Sequence, residues 1–376
     1  MNITYLDNNA TTKPCKSAVE YVNKMLVDNW GNPSSLHTLG IDAEKEITAA
    51  RQTLADFLRC DEREIYFTPS GTIANNIAIK GAVKAKRRLG NTIVTTEIEH
   101  PSVYETISSL EEEGFNVIRL KPENGNITVE QIKNAITSDT ILVSMMMVNN
   151  ETGAILPVEK VSKIIADAKS PALFHVDAVQ AFGKMPINIK TLGAQLVTVS
   201  GHKIHAPKGV AALYISQKTR IAPLIFGGGQ EKGVCPGTES CLIPAMGAAV
   251  REIGNISENY NKIDGLRRHL IEQVEKLDRV YVNSNDDCLP YVVNISVEGI
   301  KSETLLHFLA EQGIYVSSGS ACSKGKKSRV LLSFGIPANR VDSALRISFS
   351  RYNDESDIDR LISALKTAVS MFRRGR

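Results

Sequence analysis

No stretch of this chain approaches 18 consecutive apolar residues, so the sequence offers no transmembrane helix. The opening residues Met1-Asn2-Ile3-Thr4-Tyr5-Leu6-Asp7 lack the basic region and the long apolar core of a secretory signal, and a cytoplasmic location is the expectation. An excess of one charge is missing too. Lys and Arg total 44 against 41 Asp and Glu, and the net +3 gives no electrostatic case for direct contact with nucleic acid. The short basic clusters at Lys84 to Arg88 and Lys324 to Lys327 read as solvated faces or loops. Cysteine is sparse. Cys15, Cys60, Cys235, Cys241, Cys288 and Cys322 show no metal-ligand spacing, so no metal site is expected, and a reducing cytoplasm would keep them as thiols. Internal repeats and low-complexity tracts are absent.

What is present is an ordinary globular composition. The 376 residues are 43% hydrophobic and 23% charged, enough for one large domain and a smaller one. Short apolar runs at Ile65 to Phe67, Thr92 to Thr95, Asn116 to Leu120, Ile141 to Met147, Leu173 to Val176, Leu196 to Val199 and Val210 to Ile215 read as strands. Helical patterns lie between most of them, as at Thr72 to Arg88, Ser102 to Glu113 and Val158 to Ala168. This alternation predicts an α/β fold with a mainly parallel sheet covered by helices. A glycine-rich loop from Phe226 to Thr238 follows, then one long helical stretch from about Ser240 to Leu277. Beyond it, Tyr291 to Val297, Ser302 to Gln312, Ile314 to Val316, Ala344 to Phe349 and Ser356 to Phe372 suggest a smaller α+β domain. We place the large domain at residues 13–255 and the smaller one at 1–12 together with 256–376.

The chemistry centres on Ser200-Gly201-His202-Lys203, set between two buried strands. A lysine on a surface loop is usually only solvated. Here an aspartate, Asp177, ends an apolar strand 26 residues earlier. A pyridoxal phosphate (PLP) site needs both groups: a lysine for the Schiff base and a carboxylate for the pyridinium nitrogen. Ligand sites in parallel sheets lie beyond the carboxyl ends of strands, and Thr72, His100, Asn150, Asp177 and Lys203 all follow predicted strands.

Other residues can be read around that pair. Gly71 and Thr72 stand at a helix start, where outward N–H groups and the dipole suit a phosphate, although a simple Ser/Thr cap explains the same pattern. Ser200 and His202 can add donors to that phosphate. His100 precedes a Pro-started helix and is either structural or stacked on a cofactor ring as a proton carrier. Of the amides in the Asn149-Asn150 turn, one can be turn chemistry and the other can bond a cofactor phenolic oxygen or a substrate carboxylate. Gln180, three residues past Asp177, can reach the same phenolic oxygen. Cys322 sits in a small-residue loop, Ser317 to Gly325, whose composition favours an exposed, reactive thiolate over an ordinary loop thiol. Arg346, within an apolar strand, suits bidentate capture of an amino-acid carboxylate, or else a buried pairing with Asp or Glu.

Each of these signals is modest alone, and their order is specific. Tyr5 to Thr12 (YLDNNATT), Gly31 to His37 (GNPSSLH), Asn149-Asn150-Glu151, His175-Val176-Asp177-Ala178, Ser200 to Lys203 and Ser318-Gly319-Ser320-Ala321-Cys322 resemble the NifS/IscS-type (group I) cysteine desulfurases. These belong to the class V aminotransferases, with the type I PLP fold. The resemblance runs from about residue 3 to residue 365. It implies PLP on Lys203, Asp177 at the pyridine nitrogen, His100 stacked on the ring, and Asn150 and Gln180 beside the phenolic oxygen. It implies a phosphate held by Gly71, Thr72, Ser200 and His202, with Thr238 reaching across from the second subunit of a homodimer. Arg346, with Asn150, would bind the carboxylate of L-cysteine. Cys322 would take the substrate sulfur as a persulfide, leaving L-alanine, and pass it to an acceptor protein, as in iron–sulfur cluster assembly.

Three places depart from the pattern. Cys235-Pro236 replaces the usual Arg-Ser before Gly237-Thr238, which raises the idea that Cys235 exchanges sulfur with Cys322. The loop after Cys322 is about two residues short. Ser350 replaces a glycine and Asn353-Asp354 a threonine pair, read as drift near a helix start that Asp354 can cap. The alternatives are a selenocysteine lyase or a small-amino-acid aminotransferase on the same fold, or a catalytically weak sulfur-transfer scaffold. The reactive cysteine argues against transamination, and the set Lys203, Asp177, His100 and Cys322 argues against a scaffold.

Overall fold

The apolar runs become strands and the amphipathic stretches between them cover the sheet. The computed structural model describes residues 3–123, 125–318 and 327–373. It opens with a two-residue strand, β1 (Thr4–Tyr5). Seven strands follow: β2 (Ile65–Thr68), β3 (Thr92–Thr96), β4 (Asn116–Leu120), β5 (Thr140–Met146), β6 (Leu173–Asp177), β7 (Leu196–Ser200) and β8 (Ala211–Ile215). They form one sheet in the order β2-β8-β7-β6-β5-β3-β4. β8 is antiparallel to both its neighbours, and the other pairings are parallel.

β5, β6, β7 and β8 are buried at every residue, as a sheet covered on both faces requires. Alternate side chains point to opposite faces. Phe174, Val197 and Val199 join one core cluster, while Leu173, Leu196 and Leu213 join the other. The second cluster includes Ala74, Ile77 and Ala78 of the helix Gly71–Lys86 and Val103 and Ile107 of the helix Pro101–Glu112. On the other side, the helices Lys16–Val27 and Thr38–Leu58 pack against the helix Ile243–Arg251.

The long helix expected over 240–277 is instead two, Ile243–Arg251 and Ile256–Val274. Gly254 turns the chain with φ +69°, and the Asn255 side chain then accepts hydrogen bonds from Ser257 N and Glu258 N, capping the second helix.

The C-terminal part carries β9 (Val280–Val282), β10 (Val292–Val297), β11 (Ile314–Tyr315), β12 (Ser317–Ser318) and β13 (Ala344–Ser348). β12-β13-β10-β9 form an antiparallel sheet, and β1 pairs in parallel with β11. The N-terminal strand thus belongs with the C-terminal elements, and Asp7 bridges Ser348. Asp354 Oδ1 accepts from Ser356 N at 2.9 Å, the capping its position suggested. Asn353 is more than drift: its amide donates to Tyr5 O (3.1 Å) and accepts from Asn8 Nδ2 (3.3 Å), tying the two ends of the chain together. Among the described residues, no helix is long and apolar enough to cross a membrane.

Candidate active site

The sheet delivers its polar residues to one edge. Asp177 closes β6, and Lys203 ends a one-turn 3-10 helix, Gly201–Lys203, that follows β7. His100 caps the helix after β3, and Gly71 opens the helix after β2. All four stand at or just after the carboxyl ends of strands that run in one direction.

Lys203 Nζ donates to the carbonyl of Asn9 and, at 2.9 Å, to that of Ala10. Asp177 is buried, with Oδ1 accepting from Val179 N (3.0 Å) and Oδ2 from Asn75 Nδ2 (2.8 Å). Asn75 also donates to Ser102 Oγ (2.9 Å), which lies 2.8 Å from His100 Nδ1. A four-residue relay therefore joins Asp177 to His100. Ser102 N donates to His100 Nδ1, so this nitrogen is an acceptor and the ring proton of neutral His100 resides on Nε2. Burial lowers the His100 pKa; Asp177 opposes this, and the positive charges of Lys203 and Arg346 add to it. His202 is held at about 4, chiefly by burial and then by Lys203 and Lys208. Both rings are neutral near pH 7.

Arg346 is buried in β13. Its Nη2 donates to Asp7 Oδ1 (3.0 Å) and its Nη1 to the carbonyl of Asn150 (3.2 Å). The pairing with an aspartate foreseen as the plain alternative is present. Even so, Arg346 Nε is buried with no partner among the described residues, which leaves donor capacity for a carboxylate. Burial raises the Asp7 pKa against the pull of Arg346.

The helix Gly71–Lys86 starts against Ser200. A Cβ added to Gly71 would lie 3.6 Å from Ser200 Cβ and 3.9 Å from its Oγ. Ser70 is the cap, accepting from Ile73 N at 3.3 Å, and Thr72 is exposed one residue beyond Gly71. An anion at a helix N-terminus gains only about 0.3–2 kcal/mol, so the neighbouring hydroxyls and N–H groups are needed as well.

Gln180 donates to Asn9 O at 3.2 Å, the carbonyl that also accepts from Lys203 Nζ. Four residues to which the sequence analysis assigned no role tie this edge together: Asp7 and Asn9, within the Tyr5 to Thr12 motif, and Asn75 and Lys184. Lys184 follows turns at 179–183 and not a regular helix, so its spacing from Gln180 carried no periodic signal. Thr238 is exposed and is not brought to this edge within one chain; it lines a groove with Met25, Leu26 and Trp30. Cys322 lies outside the described residues. Cys235 is half-buried against the core cluster that includes Ala74, Ile77 and Leu213, and burial with the nearby Glu231 carboxylate raises its thiol pKa.

Beside His100, Glu99 is completely buried. Its Oε1 accepts from Thr96 Oγ1 (2.7 Å) and Met146 N (2.9 Å), and Oε2 has no partner among the described residues. Burial pushes its pKa up to about 8, against those hydrogen bonds. The folded protein therefore keeps a proton that the unfolded chain releases from about 4.5 upward. That contribution to stability is full below the ordinary carboxylate range and is lost as pH rises through about 8. Glu99→Gln keeps the shape and removes the titration. Its melting temperature is expected to climb relative to wild type as pH is raised over that window, then level off. A difference that stays flat with pH would contradict the buried, protonated carboxyl.

Residues 4–361 match the class-V aminotransferase family. A cysteine desulfurase of Nostoc sp. (strain PCC 7120) is 40% identical over 380 residues, covering 99% of this chain and 94% of that protein. A solved NifS-like protein superposes with a TM-score of 0.92 at 33% identity, covering 98% of this chain and all of that one. A solved SspA, in complex with cysteine, gives 0.82 at 31% identity over 93% of this chain and 99% of its own. The chain belongs to the class-V aminotransferases and, within them, to the cysteine desulfurases.

Proposed function

We propose that this protein is a PLP-dependent cysteine desulfurase that converts L-cysteine to L-alanine and holds the sulfur as a persulfide on Cys322. The observation that carries the reading is the meeting of an amine, a hydrogen-bonded carboxylate, a neutral histidine and a buried arginine at one sheet edge. The relatives named above support the same activity.

The residues fit the cofactor. Gly71 leaves open the space beside Ser200 that a side chain would fill, at a helix start suited to a phosphate. Lys203 would hold PLP covalently, Asp177 would pair with the pyridine nitrogen, and Gly71, Thr72, Ser200 and His202 would hold the phosphate. Asn150 and Gln180 would flank the phenolic oxygen, with His100 over the ring. Bound there, PLP supplies an electron sink for the negative charge that develops at the substrate α-carbon.

The chain's own groups do the rest. Arg346, steadied by Asp7, orients the substrate carboxylate, and the Asn150 side chain can share it. The Lys203 amine, once released by the substrate amine, takes the α-proton. Asn75 fixes the carboxylate of Asp177, and the relay through Ser102 keeps His100 Nδ1 occupied, so that His100 acts through Nε2. The Cys322 thiolate attacks the substrate sulfur. The S–S bond forms as the C–S bond breaks, and the carbon that loses sulfur gains a proton, giving alanine. The persulfide then passes to an acceptor protein.

A homodimer fits the exposed apolar side chains of Leu26, Val27, Trp30 and Leu36, of which Leu26 and Trp30 share a groove with Thr238. A second copy would cover them and bring its Thr238 to the phosphate of the first. Trp30→Glu is expected to shift the protein from dimer to monomer in light scattering and to weaken PLP retention. An unchanged dimer would place the subunit contact elsewhere.

The activity is tested by incubating purified protein with PLP, reductant and L-cysteine. Alanine and sulfide released in equal amounts are expected. Bound PLP with release of neither product would contradict the desulfurase, and 3-mercaptopyruvate in place of alanine would indicate transamination.

A further inference from the structure

Lys184 has no part in the mechanism above, yet it lies within the same network. It is buried, with 5% of its surface exposed. A buried ammonium is unfavourable unless well partnered. Among the described residues both its hydrogen-bond partners are neutral amide oxygens, Gln180 Oε1 at 2.9 Å and Asn9 Oδ1 at 3.0 Å. The Tyr291 ring stands 5.8 Å away. Burial, with the charges of Lys203 and Arg346, brings its pKa down to about 7. A methionine would fill this space without that penalty, so the position is a poor device for stability alone.

What Lys184 does is select. A side-chain amide can sit in either of two flipped orientations, and only its oxygen can face Lys184 while that amine carries its proton. With Lys184 holding Gln180 Oε1, the Gln180 NH2 group must turn to the other side, where it donates to Asn9 O, the same carbonyl that accepts from Lys203 Nζ. With Lys184 also holding Asn9 Oδ1, the Asn9 NH2 group must face away, and it donates to Asn150 O at 3.2 Å. Gly183, at φ +74°, allows the chain to turn immediately before Lys184.

We infer that Lys184 is a positioning residue that fixes the flip of the Gln180 and Asn9 amides, so that Gln180 presents a donor and not a carbonyl to the cofactor's phenolic oxygen. This rests on the proposed place of Gln180 beside that oxygen. A donor there stabilises the phenolate, whereas a carbonyl would repel it. Losing one such charge-assisted hydrogen bond corresponds to about one pH unit in the protonation of the bound chromophore.

The test is a double-mutant cycle read by absorbance of the PLP-loaded protein against pH. Lys184→Met is expected to raise the chromophore's protonation midpoint by about one unit, and Gln180→Ala to raise it similarly. In Gln180→Ala, adding Lys184→Met is expected to move the midpoint little further, since the two act as one unit. Should Lys184→Met not fold, Lys184→Gln replaces it, because a glutamine no longer selects which amide atom faces it. An equal shift in both backgrounds would overturn the inference, showing that Lys184 acts through its charge alone. No shift in either would overturn it too. Wild-type protein without a chromophore would instead defeat the PLP reading itself, which keeps the two failures apart.

Discussion

Lys203→Ala is expected to lower alanine release from L-cysteine by on the order of a thousandfold or more, because one amine serves both as covalent anchor and as base. The fold should survive. The Lys203 side chain lies at the sheet edge and not in either apolar cluster, and it donates to the carbonyls of Asn9 and Ala10. Lys184 cannot stand in, because its Nζ is bound to Gln180 and Asn9. Initial rates measured beside the unfolding midpoint would separate the two effects. A variant that keeps a tenth of the activity would remove Lys203 from the role of base.

Cys322→Ala is the second large effect. The variant should retain the PLP absorbance and lose sulfide release and sulfane sulfur, again by on the order of a thousandfold. Cys235→Ser should leave the rate within about twofold. The thiolate is the reacting form, and burial together with Glu231 raises the Cys235 pKa, which opposes it. Sulfane sulfur found on Cys235 during turnover would reverse that view and revive exchange between the two cysteines.

Much of this architecture was legible in the sequence. The strands announced themselves because a parallel sheet buries both faces, so Leu173, Phe174 and Val176, and likewise Leu196, Val197 and Val199, put apolar side chains on both sides of strands buried along their whole length. Asp177 and Lys203 stood out because polar residues directly after such runs lie where parallel sheets place ligands. Lys184 was invisible for the opposite reason. In Gly183-Lys184-Met185-Pro186 a lysine beside glycine and proline reads as a solvated turn, and nothing local reveals that Gln180 and Asn9 close over it. Asn75 sits on a helix face that sequence periodicity assigns to packing, yet it joins Asp177 to Ser102 across 102 and 27 residues of chain. Contacts of that separation leave no short-range signal. The break at Gly254 was overlooked because apolar spacing continues on both sides of it.

The central claim is that Lys203 is the residue that binds PLP. It is tested most directly by reducing the PLP-loaded protein with borohydride and mapping the modified peptide by mass spectrometry. The expected result is a phosphopyridoxyl group on Lys203 alone, absent from Lys203→Ala. A stable label on Lys184 or another lysine, or no label in a protein that turns over L-cysteine, would contradict the account.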